Sequence, residues 1–177
     1  MYLQNNVPEL LIEANTYVIN NDRDLYKPYF IAAEEFCGAR NILIGGKLGA
    51  ELLLNEANVS RDMVWDLYCS NTFLLARALA DLLCTVRNPH IDSRTVALMT
   101  KIKHKEFHIF VNTRLLFKIY SLDIYRGVDM SKLVAVPCMS LFGKIAINPH
   151  QTGNCLSAEM QLIDMYRILY TPDNIDF

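Results

Sequence analysis

The sequence predicts an α/β domain, a mixed sheet with helices packed against it. Three observations lead there. Apolar residues recur at helical spacing in the first half of the chain and again near its end. Two short apolar runs, Ile42-Leu43-Ile44 and Val64 to Cys69, fall between those helical stretches. From Val96 to Ile119 the period of the pattern changes to two. An order of α-β-α-β-α followed by three strands builds a mixed sheet covered by helices.

Taken in order, a first helix is expected from near Asp22 to Gly38, with Pro28 restricting its first half. The strand Ile42-Leu43-Ile44 ends at Gly45-Gly46, and Leu48, Leu52 and Leu53 follow at helical spacing. A polar link, Asn55 to Asp62, leads to the second strand. Ser70 or Asn71 is placed to cap the next helix, whose stripe reads Leu74, Leu75, Ala78, Leu79, Leu82 and Leu83. Arg77 and Asp81, four residues apart, lie off that stripe and can pair. The helix stops before Asn88-Pro89, because proline disfavours helical geometry in the residue ahead of it. Three strands follow, with a tight connection near Lys103 to Lys105. Met130 to Gly153 reads as irregular, broken by Pro137, Gly143 and Pro149. A last helix runs from a cap at Ser157 to Tyr170, stopped by Thr171-Pro172.

The chain has 177 residues, suited to one domain with a real core, and 52% of them are hydrophobic. That fraction suits either a well-filled core or apolar surface covered by a partner. The net charge of −2 gives no global basic field for nucleic acid, so any RNA contact must be a local patch. Arg77 and Asp81 interrupt the longest apolar stretch, so no membrane span is expected. The first residues carry neither the basic nor the apolar region of a signal peptide. The five cysteines are scattered and odd in number, which points to unreactive thiols in a reducing setting. Cys138, His150 and Cys155 lack the spacing of a standard zinc motif, and the four histidines show no metal-ligand spacing.

One constellation carries chemistry. In Ile42-Leu43-Ile44-Gly45-Gly46-Lys47-Leu48-Gly49 a strand delivers two glycines to the start of a helix. Such a turn lets backbone N–H groups approach a phosphate where the helix end is positive. Downstream lie Val64-Trp65-Asp66-Leu67-Tyr68, the segment Ile109 to Ile119 with Asn112, Tyr125-Arg126-Gly127, and Glu159 to Pro172. Together these resemble the nucleotidyltransferase-type module of the poly(A) polymerase catalytic subunits of large cytoplasmic DNA viruses. The resemblance covers roughly residues 40 to 172, and the final helix is its distinctive part.

The resemblance implies a polymerase-β-like fold, a single nucleotidyltransferase-like domain with an N-terminal arm at 1–21 and a C-terminal helix at 157–172. It implies Gly45, Gly46 and Lys47 at the nucleotide, ATP with Mg or Mn as cofactors, and residence in the virion and host cytoplasm. In that family three acids hold the metals that activate an RNA 3′-hydroxyl against the α-phosphate of ATP. This sequence has Val64 where the first acid belongs and Asn112 where the third is expected, leaving Asp66 alone. A metal pair needs several carboxylates around it. Asp62 and Glu106 are each too far along their strands to substitute, and Asp92 falls on a loop.

Lys101, Lys103 and Lys105 alternate, with Arg114 just beyond, and form either an RNA-contacting stripe or a solvated sheet face. Lys118 sits inside an apolar strand, where it snorkels to the edge or meets a phosphate. Two functions follow from the resemblance. One is part of a viral polynucleotide adenylyltransferase that extends mRNA 3′ ends. The other is a non-catalytic scaffold or RNA-holding module beside a catalytic nucleotidyltransferase. A third reading, a small mobile-element or toxin-system nucleotidyltransferase, is disfavoured by the Glu159 to Pro172 tail.

Overall fold

The computed structural model describes residues 24–40, 42–53, 64–91, 95–101, 106–125, 136–138 and 153–170. Helix α1 (residues 24–39) leads to β1 (Leu43–Gly45), which turns directly into α2 (Gly46–Leu53). Strand β2 (Trp65–Cys69) and helix α3 (Thr72–Thr85) follow. Then come β3 (Val96–Lys101), β4 (Glu106–Val111), β5 (Arg114–Ser121) and a single 3₁₀ turn, Leu122–Tyr125. Two short strands, β6 (Val136–Cys138) and β7 (Gly153–Cys155), precede α4 (Ala158–Tyr170).

All seven strands form one mixed sheet in the order β3-β4-β5-β2-β1-β7-β6. β1 pairs antiparallel with β2, so the strand ending at Gly45 lies beside the strand carrying Asp66. β2 runs parallel to β5, and β3-β4-β5 is an antiparallel meander. The β4–β5 hairpin turns on Asn112 (φ 49°) and Thr113 (φ 66°). Two positive φ values in a two-residue loop match the twist of the flanking strands, and asparagine tolerates that region.

The alternation of strand side chains divides the core in two. On one face α1 and α3 cover Trp65, Leu67, Ile109, Phe117 and Ile119. There Phe30 packs 5.1 Å from Trp65 and 5.5 Å from Phe117, ring centre to ring centre. On the other face a smaller cluster gathers Leu43, Tyr68, Tyr120, Leu122, Leu156 and Met160 under α4. Tyr68 stacks on Tyr120 at 5.0 Å.

Helix α4 is fixed on that second face by polar contacts. Ser157 Oγ accepts the Met160 N–H at 3.3 Å, the expected cap. Gln161 Nε2 donates to the Leu156 carbonyl at 3.3 Å, and the Tyr68 hydroxyl donates to the buried Asp164 carboxylate.

The structure corrects three sequence expectations. Leu74 does not face the core, being 58% exposed; α3 is rotated so that Ala76, Leu79, Ala80 and Leu83 are buried. Small alanines bring the helix close to the sheet, an outcome that a leucine count misjudges. Asn71 is the α3 cap residue, yet its side chain makes no capping bond. Within and at the end of the segment read as irregular, β6 and β7 complete the sheet; Val-Pro-Cys and Gly-Asn-Cys contain a breaker each and no apolar run, so unlike β1 they carry no strand signal. The Arg77–Asp81 pair forms at 3.9 Å on the exposed side of α3.

Cys37 and Cys69 are buried in the larger core while Cys84 is exposed. Burial pushes the Cys37 thiol up to about 12 and the Cys69 thiol up to about 11, because neither thiolate is solvated there. A raised folded value means that the unfolded chain loses its thiol protons first. Stability is therefore full below the ordinary thiol value of 9.0 and declines as pH rises from there toward 12. Native protein at neutral pH should react with a thiol reagent quickly at Cys84 and only on unfolding at Cys37 and Cys69, as peptide mapping after brief labelling would resolve. Tyr68→Phe should lower stability by about 1–3 kcal/mol in a urea titration, since it removes a donor from a buried carboxylate.

Candidate functional site

Strand β1 is buried along its whole length and places Gly45 and Gly46 where strand becomes helix. Gly46 has φ +61°, a conformation that favours glycine, and a Cβ there would stand 2.1 Å from Asp66 Oδ2. Asp66 is held opposite Gly45 by the β1–β2 register. Its carboxylate therefore lies against the first residue of α2, where the helix end is positive. Its other oxygen, Oδ1, is buried. At Gly45 a Cβ would stand 2.5 Å from the Tyr68 ring and 2.7 Å from Leu156, and at Gly49 2.7 Å from Gln161 Nε2. The glycines thus have reasons internal to the fold: Gly46 admits Asp66, while Gly45 and Gly49 admit the seat of α4.

The sheet register sets what stands beside Asp66. Gly45, Asp66, Lys118, His108 and Met99 occupy one row across β1, β2, β5, β4 and β3, and residues so paired share a face. The immediate neighbour of Asp66 on β5 is therefore a lysine. Adjacent strands are about 4.8 Å apart. The next neighbour, His108, is buried, with Nε2 3.4 Å from Glu106 Oε2, an ion pair when the imidazole is protonated. Glu106 is itself two strands from Asp66, roughly 10 Å sideways before any offset along the strand.

The remaining predicted positions scatter. Asn112 lies in the hairpin turn, four residues past His108, so about 13 Å of strand separates it from the Asp66 row. It does not stand at a third-acid position next to Asp66; Lys118 occupies the adjoining place. The order of elements along the chain does not tell which later strand lies beside β2. Val64 immediately precedes β2 and is half-buried, and Lys47 is exposed in the first turn of α2. Arg114 opens β5, its guanidinium 5.3 Å from the centre of the Tyr26 ring, so it packs on α1. Lys101 ends β3, whereas Lys103 and Lys105 lie outside the described residues, as do Asp62, Asp92 and His150. Among the described residues no group of three or more His, Cys, Asp or Glu is placed to hold a metal ion. No described helix is long and apolar enough to cross a membrane. Asp164 is a buried acid that sequence reading did not single out, and its hydrogen bond from Tyr68 assigns it to the seat of α4.

Comparison with solved structures decides the fold. The crystal structure of the Megavirus polyadenylate synthase superposes with a TM-score of 0.59 at 14% identity, over 97% of this chain and 32% of that chain. The fold is that of a polymerase-β-like nucleotidyltransferase. No family model matches the chain. An uncharacterized protein of African swine fever virus, from a South African tick isolate, is 24% identical over 176 residues. That match spans 99% of this chain and 39% of the viral protein. Its counterparts from a Namibian warthog isolate and a Malawian tick isolate match to the same extent. This nucleotidyltransferase fold is thus similar to proteins of large DNA viruses, and it spans well under half of their length.

Set in that fold, the row has a clear electrostatic consequence. A lysine ammonium repels a divalent ion and does not help to hold it. Asp66 and Lys118 carry opposite formal charges in register, so these two positions together offer a metal ion no excess of negative charge. The close contact at Gly46 also supplies a test. Gly46→Ala should destabilise by about 2–4 kcal/mol through backbone strain and collision with the carboxylate. Asp66→Ala should relieve the collision but not the strain, so a double-mutant cycle in urea should return a coupling of about 1 kcal/mol or more.

Proposed function

We propose that this chain is a degenerate nucleotidyltransferase module of a viral polynucleotide adenylyltransferase system, which adds poly(A) to mRNA 3′ ends from ATP. In this reading the chain contributes no chemistry. It packs beside a catalytic nucleotidyltransferase module or subunit and positions it. The observation that carries the reading is the row Gly45, Asp66, Lys118: one acid remains, and a lysine stands next to it. Phosphoryl transfer of this kind relies on metal ions to clamp the attacking and leaving oxygens, and Mg or Mn with ATP would need further carboxylates here. Among the described residues no group of three or more His, Cys, Asp or Glu is placed to hold a metal ion.

Contact with RNA is the finer part of the proposal, through Lys101, Lys103, Lys105 and Arg114. Arg114 has its stacking partner in Tyr26, so the three lysines would carry most of that contact. Such binding would fall steeply with salt, by about one counterion of slope for each lysine engaged.

Primer extension tests the catalytic side. Purified chain with a short RNA, ATP and Mg²⁺ or Mn²⁺ should add no adenylate, and Asp66→Ala should leave that blank result unchanged. Extension of the primer that Asp66→Ala abolishes would overturn the proposal.

A further inference from the structure

We propose that Cys37 and Cys69 form a buried dithiol site that closes to a disulfide, clasping the end of α1 to the end of β2. The two lie 32 residues apart, so no spacing motif in the sequence joins them. The fold does. The side chains that α1 buries, Tyr26, Tyr29, Phe30, Ala33, Phe36 and Cys37, recur at helical spacing and all lie in the larger core. Trp65, Leu67 and Cys69 enter that core from β2, while Tyr68 belongs to the cluster on the other face. Both thiols therefore stand on one side of the sheet.

They also stand at one level along it. Phe30 packs on Trp65 at the start of β2, 5.1 Å from ring centre to ring centre. From Phe30 to Cys37 the helix rises about 10.5 Å, and from Trp65 to Cys69 the strand rises about 13 Å. The next segment fixes the direction. Continued one residue past Leu43 and Tyr68, the β1–β2 register sets Ile42 beside Cys69. The Ile42 N–H donates to the Cys37 carbonyl at 3.2 Å, so one residue ties the end of α1 to the end of β2. Cys155 shares the core but lies on β7, two strands from β2 and about 10 Å sideways, beyond the reach of a disulfide.

The electrostatics agree with this placement. Burial does most to keep the Cys37 thiol protonated, and negative charge at Cys69 is the next influence, ahead of Glu34, with Arg40 acting in the opposite sense. Two thiolates so placed repel each other, whereas a disulfide removes both charges from a core that solvates neither. The oxidant is a small-molecule disulfide. Burial raises both thiols, but the Asn71 backbone N–H offsets part of the rise at Cys69, so Cys69 is the attacking thiolate. It attacks one sulfur of the oxidant and expels a thiolate; Cys37 then attacks the Cys69 sulfur of the mixed disulfide and expels the second. One S–S bond forms in the protein as the external one breaks, and the two cysteine protons pass to the two leaving thiolates. Because both thiols are buried, the exchange proceeds as the chain folds or as α1 lifts.

The test unfolds the whole 177-residue chain in urea and refolds it in a mixture of glutathione and glutathione disulfide. Acid quenching, alkylation and digestion then show by mass spectrometry which cysteines are joined. The expected result is a peptide linking Cys37 to Cys69 as the main protein disulfide. The melting temperature should stand about 5–10 °C above that of the reduced chain and fall back with dithiothreitol. Cys37→Ala should abolish that gain, and Cys84→Ser should leave it intact. The wild-type readouts stand whether or not Cys37→Ala folds. Disulfides formed elsewhere, or glutathione adducts without a Cys37–Cys69 link, would overturn the proposal and leave two ordinary core thiols. A Cys37–Cys69 bond that lowers the melting temperature would overturn it too, because the native fold would then not hold the pair at bridging distance.

Discussion

The arrangement of this molecule depends on a seam without Cβ atoms where β1 meets α2. Gly45, Gly46 and Gly49 each have a neighbour lying where a side chain would begin: the Tyr68 ring, the Asp66 carboxylate and the Gln161 amide. Everything on the second face of the sheet follows from those three approaches. The Tyr68 ring can lie flat over β1, which lets its hydroxyl reach Asp164 and hold α4. The Asp66 carboxylate can settle against the start of α2. A glycine-rich turn after a strand is usually read as a cradle for phosphate. Here the same turn is already engaged by the protein's own groups.

That engagement bears on what holds a lone acid in this place. A metal-dependent site is a set of repelling carboxylates that ions hold together, and removing one or two acids leaves a residual charge in a partly buried place. A buried charge without compensation is expensive. Lys118, in register with Asp66, places the opposite formal charge on the neighbouring strand, and the helix end adds a partial one. This gives Asp66 a physical reason that lies within the fold itself.

Much of the architecture was legible in the sequence because it is written in periods. The change from helical spacing to alternation near Val96 marked the meander, and the glycine pair marked the junction of β1 and α2. Ser157 announced the α4 cap by residue type alone. What stayed hidden was what depends on sheet order. Nothing local in Ile109 to Ile119 says that β5 rather than β4 lies beside β2. Asn112 was therefore aligned with a site that it does not approach, and Lys118 was weighed without its neighbour. Strands β6 and β7 were missed because each contains a breaker, Pro137 or Gly153, and no apolar run. The inward placement of Gln161 and Asp164 was missed because hydrophobic patterning assigns apolar residues inward, and in α4 hydrogen bonds decided otherwise.

Asp66 and Lys118 stand in register on one face of the sheet, and the proposed function requires that this row hold no metal ion. Titration of the chain with Mn²⁺, followed by electron paramagnetic resonance of the free ion, addresses it most directly. The expected result is no stoichiometric site, only weak loading with a dissociation constant of about 1 mM or above, the range of exposed carboxylates. Asp66→Ala should leave that loading unchanged. One Mn²⁺ per chain bound in the micromolar range, and lost on Asp66→Ala, would contradict it.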